Sequence, residues 1–239
     1  MAEAGRRVPL EAATGPANMA ADERLLEDAI QGCASLRFYT WSEPTLSLGY
    51  FQPATERLPG LPWVRRASGG AALVHDKELT YCLALPAGAP WQRPGESWIC
   101  RFHTIISKAL AKFGIRDGVT CVTAQKLGPV LCFLHHTPGD LVLAGHKIGG
   151  SAQRKQRGAL MQHGGILLAR SPHTPHLPGL RDLTGIDIAP TALADAITDE
   201  FVNETKWVLV RGDWTVGDRK RIAELSKWKY QSDGWNFKR

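Results

Sequence analysis

Apolar positions recur along this chain with two different periods, and the switches between them mark out its elements. Met19, Leu25, Leu26, Ala29 and Ile30 form a stripe at helical spacing, with Asn18 as the capping candidate and Asp22 and Glu23 near the start. The stripe predicts a first helix over about residues 18–32. Short runs rich in β-formers follow: LRFYTW at 36–41, TLSLGY at 45–50, WVRRA at 63–67 and LTYCLALP at 79–86. In the last of them Leu79, Tyr81, Leu83 and Leu85 alternate with Thr80, Cys82 and Ala84, the period of a strand. Trp98, Ile99, Phe102, Ile105, Ile106, Ala109 and Phe113 return to helical spacing, and Gly114 closes that helix. DLVLA, KIGGSAQ and GGILLA then predict further strands, and a last helical region begins near Ala192. Strands in blocks separated by whole helices predict an α+β fold, with mixed or antiparallel sheets flanked by helices. The expected organisation is a strand and helix over 1–30 leading into the domain, the main body over 31–215, and a C-terminal helix and tail packed on it over 216–239.

Composition narrows the setting. A chain of 239 residues buries a full core as one domain. No apolar run approaches the roughly 20 residues that span a bilayer, and the N-terminus has no apolar signal core, so a cytoplasmic protein with no membrane partner is expected. The five cysteines are odd in number and scattered, as suits free thiols in a reducing compartment. A formal charge of +6 and a pI of about 9.2 point to acidic partners. Without zinc-finger spacing or basic repeats studded with aromatics, those partners are read as acidic proteins rather than nucleic acid. The cluster Arg219-Lys220-Arg221 reads as a solvated face.

Candidate chemistry sits in three glycine clusters. RRASGGAALVHD at 65–76 brings Arg65 and Arg66 to Ser68-Gly69-Gly70, where backbone amides can approach an anionic or carbonyl group, although a tight turn between strands would look the same. It is neither a Walker loop nor a dinucleotide fingerprint. GHKIGGSAQ at 145–153 sets Lys147 beside Gly149, Gly150 and Ser151, able to hold an ammonium against a carbonyl, although a strand lysine is usually just exposed. HGGIL at 163–167 reads as a glycine bulge in a strand. Cys132, His135 and His136 lie close together and Cys100 precedes His103 by three, but no second pair completes a tetrahedral set, and no metal is expected. His135-His136 is read as part of a loop over a cleft.

FYTWSEPTLSLGYFQ, RRASGGAALVHDKELTYCLALP, DLVLAGHKIGGSAQRKQRGALMQHGGILL, the terminal YQSDGWNFKR and the opening GPANMAADERLL occur in order over nearly the whole chain. Together they resemble the lipoate–protein ligase and octanoyltransferase family, and most closely the octanoyltransferases of the kind found in Gram-positive bacteria. The resemblance implies a biotin/lipoate ligase-like catalytic domain over 31–215. It also implies transfer of an octanoyl group from octanoyl-acyl carrier protein to a lysine of a lipoyl-domain protein, such as glycine-cleavage H protein. Cys132, followed by Phe133, falls where that subfamily carries its nucleophile, and Lys147 where it carries the lysine that lowers the cysteine pKa. Arg66, Ser68, Gly69, Gly70, His75, Gly149, Gly150, Ser151 and His163 are the implied substrate-binding residues. The chain departs from the family at Ala71-Ala72, His146 and Cys82.

A thiol near pKa 8.5 is only a few per cent thiolate at neutral pH, and a nearby ammonium favours the charged form. Attack on a thioester conserves the bond energy in an acyl-Cys132 thioester, so neither ATP nor another cofactor is expected. Two alternatives compete. An ATP-dependent lipoate ligase catalytic subunit would be indifferent to Cys132, and a non-catalytic homologue would only bind carrier proteins.

Overall fold

The computed structural model describes residues 4–116, 120–121 and 139–239. Among them the chain runs β1 (Ala4–Ala13), α1 (Gly15–Ile30), β2 (Ala34–Trp41), β3 (Thr45–Leu48), β4 (Trp63–Arg65), β5 (Leu73–His75), β6 (Glu78–Leu85), α2 (Trp98–Ala111), β7 (Thr120–Cys121), β8 (Leu141–Leu143), β9 (His146–Gln156), β10 (Ala159–Leu167), α3 (Leu180–Thr184), α4 (Pro190–Thr205), β11 (Val208–Arg211), α5 (Val216–Leu225) and α6 (Asp233–Asn236). A large sheet takes the order β11-β1-β2-β6-β10-β9-β8-β7, and a small one the order β4-β3-β5. Both are mixed: β1 is parallel to β2 and β11, and β3 to β4, whereas the other pairings are antiparallel. This is the expected α+β arrangement of mixed sheets flanked by helices.

Alternation along the central strands divides the interior in two. Leu79, Tyr81, Leu83 and Leu85 of β6 join Leu36 and Phe38 of β2 under α2 and α4, against Phe102, Ile105, Ile106, Ile197 and Phe201. The residues between them, Cys82, Ala84, Tyr39 and Trp41, face α1 and the C-terminal helices, against Leu25, Leu26, Leu225 and Tyr230. Both faces of the sheet are therefore covered, and each fully buried leucine or phenylalanine contributes about 1.5–3 kcal/mol. The predicted α2 stripe is the buried one, capped by Ser97 and followed by Gly114 at φ +85°.

The first helix starts earlier than its apolar stripe suggests. Pro16 sits in its first turn, where a missing N–H costs nothing, so Asn18 lies inside the helix and is no cap. Buried Asn18 instead donates to the Ala13 and Thr40 carbonyls and accepts from Arg37 Nη2 at 2.6 Å. The exposed Arg219-Lys220-Arg221 face is solvated, with Arg219 reaching Glu11 and Arg221 reaching Glu27.

The C-terminal YQSDGWNFKR segment clamps the start of the Arg65–Gly70 turn. Asn236 Oδ1 accepts from the Arg65 amide at 3.0 Å, the Asn236 carbonyl accepts from Arg65 Nε at 2.9 Å, and Trp235 Nε1 donates to the Arg65 carbonyl at 2.9 Å. The other side of the turn is held by contact between two glycines. A Cβ at Gly49 would stand 1.8 Å from the Gly70 carbonyl oxygen, so only glycine permits the approach. Gly49→Ala is expected to cost about 3 kcal/mol by overpacking. Gly234→Ala, where a Cβ meets nothing within 4 Å, is expected to be neutral or mildly stabilising. Urea midpoints of the two variants measure the difference, and equal midpoints would show that the turn yields without cost.

Candidate active site

A cleft opens between the two sheets. Arg66, Gly70, His75, Gly150, Ser151 and His163 line it, so six of the eleven sequence-derived site residues share one cavity, with Met19, Leu73, Ala71 and Ala152 supplying apolar surface. Ser68 sits behind His163. Gly149 instead packs on Leu141, and a Cβ at Gly69 would meet only the Phe51 ring, so neither is part of the lining. Cys132, His135 and His136 lie outside the described residues.

The HGGIL segment is not a bulge. β10 keeps unbroken register with both β6 and β9 through Gly164 and Gly165. Gly164 serves close approach: a Cβ there would stand 2.4 Å from the Gly150 carbonyl oxygen and 2.8 Å from Tyr81 Oη. The bare backbone of both glycines forms part of the cleft wall.

Lys147 is not the exposed strand lysine its setting suggests. Its side chain is 1% exposed and its Nζ pairs with Asp140 Oδ2 at 2.7 Å. The stem passes over Gly150, where a Cβ would lie 2.7 Å from Lys147 Cε. Asp140 and Lys147 face each other across the β8–β9 hairpin turn, whose Ala144 and Gly145 both take positive φ. The pair holds a cation in position beside the cleft.

Two hydroxyl–imidazole–carboxylate chains frame the cavity. In one, Ser68 Oγ meets His163 Nε2 at 2.5 Å, and His163 Nδ1 meets Asp22 Oδ2 at 3.0 Å. Asp22 also accepts from Arg37 at 2.8 Å and from Tyr39 Oη at 2.8 Å, and burial beside Asp22 pushes the Tyr39 phenol well above its ordinary pKa. In the other, Arg66 Nη1 donates to Ser47 Oγ at 2.7 Å, Ser47 Oγ meets His75 Nε2 at 2.6 Å, and His75 Nδ1 meets Glu78. Trp41 stacks on the His75 ring at 3.8 Å. Burial favours the neutral His75 ring, so with Glu78 accepting at Nδ1 its Nε2 accepts from Ser47. Ser47 and Ser68 are fully buried, so these chains act as framework rather than as nucleophiles. Arg66 Nη2 donates to the Gly69 and Ala71 carbonyls and braces the turn.

Burial holds His75 below its ordinary pKa despite Glu78, and holds His103 down despite its bond to the Gly139 carbonyl. A histidine with a lowered folded pKa binds its proton more readily when unfolded. Its stability contribution is therefore complete above the unfolded value near 6.5 and is lost as pH falls through the folded one. The urea midpoint is expected to stay level from about pH 8 to 7 and to fall from about pH 6.5 towards 5, above the range of ordinary carboxylates. A level midpoint down to about pH 5 would show that these imidazoles charge without penalty.

Arg65 is a structural residue rather than a surface one. It is fully buried, and its Nη1 donates to the carbonyls of Gly49 at 3.0 Å and Gln52 at 2.5 Å. Cys100 is exposed, whereas His103 is buried and bonded to Gly139 and Tyr81, so these two do not converge as a ligand pair. Among the described residues no group of three His, Cys, Asp or Glu side chains is placed to hold a metal, and no helix is long and apolar enough to cross a membrane. Sequence reasoning missed Asp22, Glu78 and Asp140 as site residues. A polar residue on the buried stripe of α1 was the one signal for Asp22.

The same architecture occurs in a crystal structure of lipoate-protein ligase A bound with ATP, at a TM-score of 0.80 and 20% identity over 98% of each chain. At that identity the likeness is one of fold, and the fold is that of the lipoate-protein ligases. The family model described as the lipoyl protein ligase A/B catalytic domain matches residues 15–174, and the chain belongs to that family. Relatives named octanoyltransferase LipM extend over nearly its whole length. The protein from Kyrpidia tusciae is 30% identical and that from Geobacillus kaustophilus 31%, each over 93% of this chain and 94% of the relative.

Proposed function

We propose that the chain is an octanoyltransferase of lipoate biosynthesis, with octanoyl-acyl carrier protein as donor and a lysine of a lipoyl-domain protein as acceptor. Glycine-cleavage H protein is the acceptor type proposed. Similarity to octanoyltransferases over 93% of the chain carries the reading. The cleft supports it, because a mixed apolar and glycine lining suits an alkyl tail.

Cys132 thiolate attacks the donor thioester carbonyl, a new C–S bond forms, and the carrier thiolate leaves with its proton returned from solvent. The acceptor amine then attacks octanoyl-Cys132, the cysteine thiolate leaves, and the amine proton is lost as the amide forms. Lys147 stabilises the thiolate and the oxyanion of each tetrahedral intermediate. No ATP enters either step. Burying an eight-carbon tail is worth on the order of 5 kcal/mol, at about 0.8 kcal/mol per methylene.

The test is transfer to a lipoyl domain from octanoyl-acyl carrier protein without ATP, followed by intact mass. One octanoyl group on the acceptor is expected. An acceptor modified only when ATP and free octanoate or lipoate are supplied would replace this reading with that of a ligase subunit.

A further inference from the structure

Arg65 and Lys238 each carry a buried nitrogen with no hydrogen-bond acceptor. Arg65 satisfies its Nε and Nη1 through main-chain carbonyls, yet Nη2 meets none. Lys238 Nζ lies between two rings, 3.4 Å from the centroid of Tyr50 and 3.2 Å from that of Trp235, and likewise meets none. Ring faces attract a cation but do not satisfy three N–H donors. Desolvation, and then the charges of Arg65, Lys229, Arg154 and Arg239, lowers Lys238 to about 8.

The neighbouring groups add to the positive charge. Arg154 donates to the Ala67 carbonyl at 2.9 Å, next to the Ser68–Gly70 turn. The Arg239 guanidinium stands 5.8 Å from the rings of both Tyr50 and Phe51. Glu23 is engaged by Lys229 at 2.6 Å and by Tyr230 at 2.6 Å, so it does not offset the others. Like charges gathered around two nitrogens withheld from water repel one another, and an anion accepting from several of them removes both the repulsion and the unmet donors.

We propose that Arg65, Arg154, Lys238 and Arg239 form a binding site for the phosphate on the thioester donor's arm. The site rests on the transfer reading above, in which the donor is a carrier protein. Such a donor presents its thioester on a pantetheine arm joined to the protein through a phosphodiester. An ammonium and guanidinium forks match phosphate oxygens with charge-assisted hydrogen bonds. Seated beside the Ser68–Gly70 turn, the phosphate would anchor the arm at the edge of the cleft that Gly70 lines.

Calorimetry on the full chain tests the site with no acyl group present, comparing 4′-phosphopantetheine, pantetheine and inorganic phosphate. The phosphorylated arm is expected to bind at least about tenfold tighter than either other probe, the scale of a charge-assisted contact. Lys238→Met keeps an unbranched stem between the rings and removes the ammonium, and should bring phosphopantetheine within about twofold of pantetheine. Arg154→Gln, at a less buried position, should reduce the preference part of the way. Equal binding of both arms by the wild type, or a preference that survives in both variants, would overturn the site. Inorganic phosphate binding as tightly as phosphopantetheine would overturn its assignment to the arm. Octanoyl-adduct formation by the same wild-type preparation separates this proposal from the reading it rests on. A kept preference without an adduct supports the phosphate site and sinks the transfer chemistry, whereas an adduct without a preference sinks the phosphate site alone.

Discussion

Cys132→Ala is expected to abolish the octanoyl adduct that the wild-type chain forms with octanoyl-acyl carrier protein, and to reduce transfer by about a thousandfold or more. Removing the nucleophile of a covalent mechanism leaves only binding and oxyanion stabilisation, hence the size of the loss. The wild-type adduct should carry one octanoyl mass, form without ATP and be released by hydroxylamine, as a thioester is. The other cysteines can be separated from it. Cys82 is buried, and burial pushes its thiol well above the ordinary range, whereas Cys33 and Cys100 are exposed and would compete in any alkylation assay. Serine at 33, 100 and 121 leaves buried Cys82 as the one cysteine besides Cys132. An adduct that persists in Cys132→Ala would end the proposed mechanism.

Lys147 carries the second large effect, and its pairing with Asp140 changes how the effect must be measured. Lys147→Ala takes the ammonium away from the buried Asp140 carboxylate and is expected to destabilise the fold by about 3–5 kcal/mol, the usual consequence of removing one member of a buried ion pair. Activity lost in that variant would mix misfolding with chemistry. The double variant Lys147→Met, Asp140→Asn replaces the pair with neutral groups of similar volume and should recover most of the stability. It should still lose about a hundredfold or more in transfer, comparable to the loss of one oxyanion donor. Cys132 alkylation by iodoacetamide should slow at neutral pH, because the ammonium that favours the thiolate is gone. A double variant that folds, transfers and alkylates like the wild type would reduce Lys147 to a structural residue.

The order of elements was legible because each carries its own period. The strand alternation of 79–85 and the helical stripe from Trp98 are local signals, and both appear where the pattern put them, as β6 and α2. The family blocks were legible for the same reason: their glycines, Lys147 and His163 stand at fixed spacings in short contiguous stretches. Site partners were not legible, because sheet order and not chain distance selects them. His163 finds Asp22 across 141 positions, since β10 and α1 meet on one face of the sheet. Arg65 became structural because a segment 171 residues away supplies its acceptors. HGGIL looked like a bulge by composition, yet both glycines keep regular register, and Gly164 is required by the close passage of the Gly150 carbonyl. Lys147 could be read as a site lysine or as an exposed strand lysine until the β8–β9 hairpin set Asp140 against it. The sequence by itself thus determined the fold class, the family and the chemical types in the site. Only the tertiary structure decided which carboxylate holds which cation, because the desolvation that makes those pairs matter exists only after the sheet has assembled.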